Sequence, residues 1–279
     1  MAGHPSYPAA AHTGQPPHTR PSPSKAAATS VPAISGDPQR LASQLTTAES
    51  ALNGGASPAV MARQALVVQL ACLRVALHPG WAAVVARNVA SAQRAAAAAD
   101  IAATAELVAL TPPAARLPHW RIVPADRLAQ LRADYQAAQA ATGVGWRYLA
   151  AINFVETDFG RIIGPSSAGA QGPMQFMPAT WASYGRGNIY RPRNAILAAA
   201  RFLAAHGAVS GIGSALYAYN PSWLYVRAVL RYASRLWADP SALTGYYSRQ
   251  VIYRLGPGWV LLPAGYGVSP TARAVPLDL

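Results

Sequence analysis

Carboxylates are the scarcest chemical group in this chain: Asp and Glu together number 10 in 279 residues, and the glutamates are Glu49, Glu106 and Glu156 alone. Lysine is rarer still, with Lys25 set against 22 arginines, so the basic character is almost wholly guanidinium. Cys72 is the single cysteine, which excludes an intrachain disulfide and suits a small buried residue on an apolar helix face. No segment is read as approaching the ~20 apolar residues that span a bilayer. No charged start followed by an apolar run marks a signal peptide. What remains is 52% apolar residues, much of it alanine, which is enough to build a core.

A formal charge of +13 favours polyanionic surroundings, and nucleic acid and an anionic cell envelope are the two candidates. A nucleic-acid footprint needs basic residues clustered on one element. Here the arginines are scattered at spacings that suit solvated helix faces, so no nucleic-acid partner is expected. The bias toward Arg, Ala, Gly and Pro matches the codon usage of a high-GC genome better than selection for guanidinium chemistry.

Residues 1–36 are rich in Pro, Ser, Ala and Thr and bury too little apolar surface to offset their ordering entropy, so disorder is expected there. Their histidines, His4, His12 and His18, lack the fixed short spacing of a metal site. From Asp37 to Leu110 the apolar spacing turns helical. Asp37-Pro38 and Ser57-Pro58 are cap-and-proline starts, His78-Pro79-Gly80 is a break, and Trp81–Leu110 reads as one alanine-rich helix. This gives a helical arm over 37–110. A proline-punctuated linker over 111–124 follows, then a helical domain over 125–238. Residues 239–279 form a C-terminal extension with a two-stranded hairpin about Gly256-Pro257-Gly258. The expected fold class is mainly α with a small C-terminal β-hairpin.

One stretch concentrates the chemistry: VETDFGRIIGPSSAGAQGPMQFMPATW, residues 155–181. Leu149, Ile152 and Glu156 lie at i, i+3 and i+7, so Glu156 extends the apolar stripe of its helix, and Gly160 is a natural C-cap. A carboxyl partly removed from water holds its proton to higher pH, as a general acid requires. The plainer reading is a helix-terminal Glu paired with Arg161. Between Thr142 and Ala238 the only other carboxylate is Asp158. Two helical positions on, it points roughly 200° away and suits a surface pair with Arg161 at i+3. A conventional glycosidase needs two carboxylates at one site, and this chain supplies one.

The stretch resembles the catalytic core of the lytic murein transglycosylases, whose pattern is Glu-Ser/Thr-x-Phe, then Ser-x-x-Gly-Ala-x-Gly-(Leu/Pro)-Met-Gln-x-Met-Pro-x-Thr. A third hallmark, Ala-Tyr-Asn, is present as Ala218-Tyr219-Asn220, and the resemblance covers about residues 128–237. It implies a lysozyme-like helical domain that cleaves the MurNAc–GlcNAc β-1,4 bond of peptidoglycan with Glu156 as its one acid and base. The sugar's own C6 hydroxyl then closes a 1,6-anhydro ring. It places Gln175, Met174 and Ser167 along the saccharide groove, Tyr219 in a hydrogen bond to Glu156, and Asn220 on the sugar at the cleavage site. By residue type alone, Met174, Phe176 and Met177 read as core. No cofactor and no metal are implied. The implied partners are glycan strands, with anionic envelope polymers a further candidate, and the implied location is extracytoplasmic or wall-associated. Departures are Thr157 for the commoner Ser, Pro173 for Leu, and Tyr190-Arg191-Pro192 where an acidic residue is usual. The competing readings are a lysozyme-type muramidase on the same scaffold and a non-catalytic wall-binding module.

Overall fold

Proline-started helices set the frame of this fold. The structure, a computed structural model, describes residues 31–279, so the three tail histidines and most of the segment expected to be disordered lie outside the described residues. Residues 31–36 are ordered, contrary to that expectation: the Ser35 N–H donates to Gln44 Oε1 and Arg74 donates to the Ile34 carbonyl. Val31 and Ile34 pack beside Leu66 and Leu70, so even this short segment finds apolar partners.

Helix α1 (Pro38–Asn53) starts where Asp37 Oδ1 accepts the N–H groups of Gln39 and Arg40 at 3.1 and 2.8 Å, a side-chain cap. Helix α2 (Pro58–Leu77) follows, then a 3₁₀ turn at Pro79–Trp81, α3 (Ala82–Asn88) and α4 (Ser91–Leu110). The single helix expected from Trp81 to Leu110 is therefore broken. Val89 is extended at φ −67°, ψ 136° and buried against α1 and α3, while the Ala90 N–H leaves the helix to donate to Thr46 Oγ1. A second expectation also changes. At 20 residues and mean hydropathy 1.5, α2 is long and apolar enough to cross a membrane by length and composition. Here it is a core helix, with Cys72 fully buried and Arg74 bonded to the carbonyls of Ile34 and Asp278.

The next part is also helical: β1 (Arg121–Ile122), α5 (Leu128–Thr142), α6 (Trp146–Thr157), β2 (Ile162–Ile163), α7 (Pro178–Tyr184), α8 (Pro192–Ala205), α9 (Ile212–Tyr219), α10 (Trp223–Ala238) and α11 (Ala242–Tyr247). Gly143 ends α5 in the left-handed region at φ 77°, the C-cap its sequence position suggests. Strands β1 and β2 pair antiparallel, Arg121 with Ile163 and Ile122 with Ile162. The proline-rich segment before α5 thereby brackets the chain that leaves α6. At the C-terminus, β3 (Val251–Leu255) and β4 (Gly258–Leu262) form the expected hairpin, and β5 (Val275–Leu277) adds a third antiparallel strand on β4. That strand is short, exposed and carries Pro276, features confined to sheet edges that leave little sequence signal. The fold is mainly α, as expected.

Helix α10 is the beam of the molecule. Its apolar row (Val226, Val229, Tyr232, Ala233, Leu236) is buried, and α4 runs along it. Arg227, Arg231 and Arg235, spaced by four, form a second row. Glu106 accepts from Arg227 and Arg231 at 2.9 and 3.1 Å, and Arg235 meets Glu49 at 3.6 Å. Beside them the buried Asp100 takes Arg249 at 2.5 Å and the Tyr246 hydroxyl at 2.6 Å. All three acids of α1 and α4 thus face arginines of the C-terminal half. Burial, and then the Asp100 charge, push Glu49 up to about 7.

These contacts differ in weight. The Glu106 arginines are 49% and 42% exposed, so that pair contributes at most ~1 kcal/mol. Asp100→Asn strands a buried guanidinium and should cost about 3–5 kcal/mol. Thermal unfolding should show a drop of roughly 10 °C for Asp100→Asn and a far smaller one for Glu106→Gln. Equal shifts would mean that the buried pair is not the dominant clamp.

Candidate active site

The end of α6 explains where Glu156 points. Asp158, Phe159 and Gly160 follow the helix in left-handed conformation, at φ 51°, 64° and 81°. The helix therefore stops at Thr157 with Asp158 as its C-cap, two residues before the glycine expected in that role. Left-handed backbone is disfavoured for residues with a Cβ. It is held here because Phe159 is buried against Phe154, ring centroids 5.4 Å apart, and its N–H bonds the Asn153 carbonyl. Among the described residues, Asp158, Phe159 and Gln175 are the only non-glycines with positive φ. They lie at this helix end and in the loop that faces it, a clustering of strain that marks functional sites.

That loop is a miniature hairpin. Gln171 and Phe176 exchange backbone hydrogen bonds at 2.9 and 2.8 Å around Gly172-Pro173-Met174-Gln175. Gly172, at φ 75°, passes so close to Ile189 that a Cβ would collide with its carbonyl oxygen, which is why glycine stands there. The turn is tied to α6 by a buried network. Asn153 Nδ2 and Thr157 Oγ1 both donate to the Pro173 carbonyl, at 2.8 and 2.6 Å, and Tyr135 donates to Asn153 Oδ1 at 2.7 Å. One face of α6 thus holds the turn while the next holds the acid.

Glu156 is partly accessible and its Oε1 accepts a 2.7 Å hydrogen bond from the Tyr225 hydroxyl. Burial pushes its carboxyl up to about 7, with the Tyr225 hydrogen bond pulling the other way. Tyr225 and Tyr219 lie parallel, centroids 6.5 Å apart. Burial and the nearby Glu156 charge raise both phenols well above their usual range, so they stay donors. The plainer reading of Glu156, a helix-terminal carboxylate paired with Arg161, is not realised among the described residues, where Arg161 lies 3.7 Å from Asp158. Arg161 instead donates to the carbonyls of Asp158 and Tyr247.

Several sequence expectations shift. Tyr219, expected on Glu156, donates to the Met174 carbonyl at 2.5 Å. Tyr225 takes the carboxyl instead, because it sits on the first turn of α10 facing α6. Sequence reasoning passed over Tyr225, although its position on the apolar row with Val229 and Tyr232 was a signal. Met174 is fully buried in the core and meets the site through its carbonyl, not along a groove. Met177, read as core, is 43% exposed, since it is the N-cap residue of α7. Gln175 lies at the turn with its amide on the Gly172 carbonyl at 3.0 Å. Asn220 caps α9 beside Tyr219. Ser167 is exposed; its neighbour Ser166 organises the loop by accepting from the N–H groups of Ala168 and Ala170.

Asp158 is the largest correction. Expected on the surface, it is buried, 3.7 Å from Arg161, with both carboxylate oxygens lacking hydrogen bonds among the described residues. Burial pushes it up to about 7, while Arg161 and Arg249 pull it down. The charges acting on Asp158 are thus these arginines, whereas Glu156 answers to Tyr225. The two acids occupy different surroundings.

Comparison with known proteins fits this geometry. The family model described as Transglycosylase SLT domain matches residues 135–237. That segment runs from Tyr135 through Glu156, the Gly-Pro-Met-Gln turn and Tyr219-Asn220 to the end of α10, and leaves out α1–α4 and the C-terminal sheet. A membrane-bound lytic murein transglycosylase F from Thiobacillus denitrificans is 37% identical over 79 residues, which is 28% of this chain and 17% of that relative. No solved structure matches. Residues 135–237 of this chain are thus similar to the transglycosylase SLT domain, and the chain spans less than a fifth of the length of the relative it matches.

Proposed function

We propose that the protein is a peptidoglycan lytic transglycosylase that cleaves the MurNAc–GlcNAc β-1,4 bond and leaves 1,6-anhydro-MurNAc ends. The observation that carries this is Glu156: a reachable carboxyl held near 7 by burial, with a neutral tyrosine on one oxygen. Among the described residues no second carboxylate acts on it. Protonated Glu156 gives its proton to the glycosidic oxygen as the C1–O bond breaks. The carboxylate left behind takes the proton of the C6 hydroxyl as that oxygen bonds to C1. The proton returns to Glu156 and no water is consumed. An intramolecular hydroxyl has a high effective concentration, up to roughly 7–11 kcal/mol in favourable cases, and replaces the activated water that a second carboxylate would supply. Gln175 and Asn220 would hold the saccharide. Glycan strands are the substrate in this reading, and an extracytoplasmic or wall-associated location follows from it.

Turnover separates the two buried acids. Glu156→Gln should fold and lose at least ~10²–10⁴ of its activity on purified peptidoglycan, while Asp158→Asn keeps most of it. Comparable losses would point to a two-carboxylate hydrolase. Mass spectrometry of the digest should find non-reducing 1,6-anhydro ends, and strands with a blocked C6 hydroxyl should resist. Reducing muramic ends would favour the muramidase.

The pH dependence has a defined sign. Proton donation needs the acid form, so kcat/KM should fall as pH rises past about 7, and Tyr225→Phe, which removes a bond to the carboxylate, should move that limb to higher pH. Stability follows the same group. A folded-state value raised from 4.5 to about 7 means stability present below 4.5 is lost as pH rises through that window. Glu156→Gln should therefore raise the melting temperature relative to the parent, and the gap should widen between those pH values. A constant gap would show that Glu156 is not a burial-perturbed acid.

A further inference from the structure

From Phe159 to Ala238 the chain contains no acidic residue and eight arginines. Five of them are committed within the molecule. Arg161 bonds the Asp158 and Tyr247 carbonyls, Arg201 reaches the Tyr184 carbonyl, and Arg227, Arg231 and Arg235 meet Glu106, Glu49 and Asp239. The other three, Arg186, Arg191 and Arg193, are exposed in or just after the loop between α7 and α8. Arg193 acts on the charge of Asp134. The Arg186 and Arg191 side chains make no ion pair or hydrogen bond among the described residues.

This loop is built against the substrate-side turn. The Ile189 carbonyl lies against Gly172, and the Tyr190 hydroxyl, on a ring 53% exposed, donates to Gln171 Oε1 at 3.1 Å. Asn188 braces it internally, accepting from the N–H groups of Tyr190 and Arg191. Two unneutralised guanidinium groups and an exposed aromatic ring are therefore fixed on the loop beside the Gly-Pro-Met-Gln turn. With no acid nearby in sequence, their field reaches on the order of a Debye length, ~8–10 Å. The N-acetylated sugar rings of a glycan strand carry no charge. The anionic groups of that polymer are the several carboxylates of the peptide stems on its muramyl residues, replaced by a single lactyl carboxylate against the ring where an amidase removes a stem, and guanidinium is suited to planar, bidentate carboxylate recognition.

We propose that Arg186 and Arg191, with Tyr190 beside them, recognise peptide-stem carboxylates and make the protein prefer peptide-bearing over denuded glycan. This rests on the glycan-cleaving function proposed above. The test compares kcat/KM on sacculi stripped of attached anionic polymers with the same strands after an amidase has removed the stems. The parent should favour the peptide-bearing form. Arg186→Gln/Arg191→Gln should lower that preference about three- to ten-fold, the range expected of two exposed charge contacts, and Arg186→Glu/Arg191→Glu should lower it further. A preference unaltered in both double variants would overturn the proposal. So would an effect seen only on walls that retain phosphate polymers, which would assign the arginines to phosphate. If the parent cleaves neither substrate, the proposed activity fails, and cosedimentation with the two kinds of sacculi then decides: preferential retention on peptide-bearing walls, lost in the variants, sustains the arginine site by itself. Equal retention refutes it.

Discussion

The site depends on one carboxyl group whose proton affinity is set by burial, with no neighbouring charge opposing it. Glu156 has no cation within ion-pair distance among the described residues, and the group hydrogen-bonded to it is the Tyr225 phenol, which remains neutral. A salt-bridged glutamate would be ionised well below neutrality and useless as a donor. The diversion of Arg161 to the carbonyls of Asp158 and Tyr247 leaves the Glu156 carboxyl without that cation.

Placing that carboxyl takes two supports. The first is local: α6 is ended by left-handed residues and bound through Asn153 and Thr157 to the Pro173 carbonyl, so the acid and the Gly-Pro-Met-Gln turn move as one unit. The second is distant. Tyr225 sits on α10, and α10 is held by α4 and by the acids Glu49 and Glu106, beside the Asp100–Arg249 pair. The SLT segment by itself lacks those acids, so in this protein residues 38–110 complete the electrostatics of the helix that carries the partner of Glu156.

The secondary structure was largely legible. Proline at the first helical position, Asp37 as a cap and the run about Gly256-Pro257-Gly258 each carry a local cause that long-range contacts did not override. Misses came where a long-range contact won. Val89 broke an alanine-rich helix because it is buried against α1 and α3 while the Ala90 N–H found Thr46. The third strand was hidden by Pro276. Asp158 was placed on the surface because helical geometry was extended two residues too far; once the helix stops at Thr157, the next residue turns inward.

The sequence by itself determined that one glutamate lies in an apolar stripe ahead of a Gly-Pro-Met-Gln turn and an Ala-Tyr-Asn segment, because residue type and short-range spacing carry that information. Which tyrosine reaches the acid was decided only by the tertiary structure. Tyr219 and Tyr225 are six residues apart and equally able to donate, and the choice depends on how α9 and α10 pack on α6. The same packing drew Met174 into the core and buried Asp158, since pairing in space is set by the meeting of helices far apart in the chain.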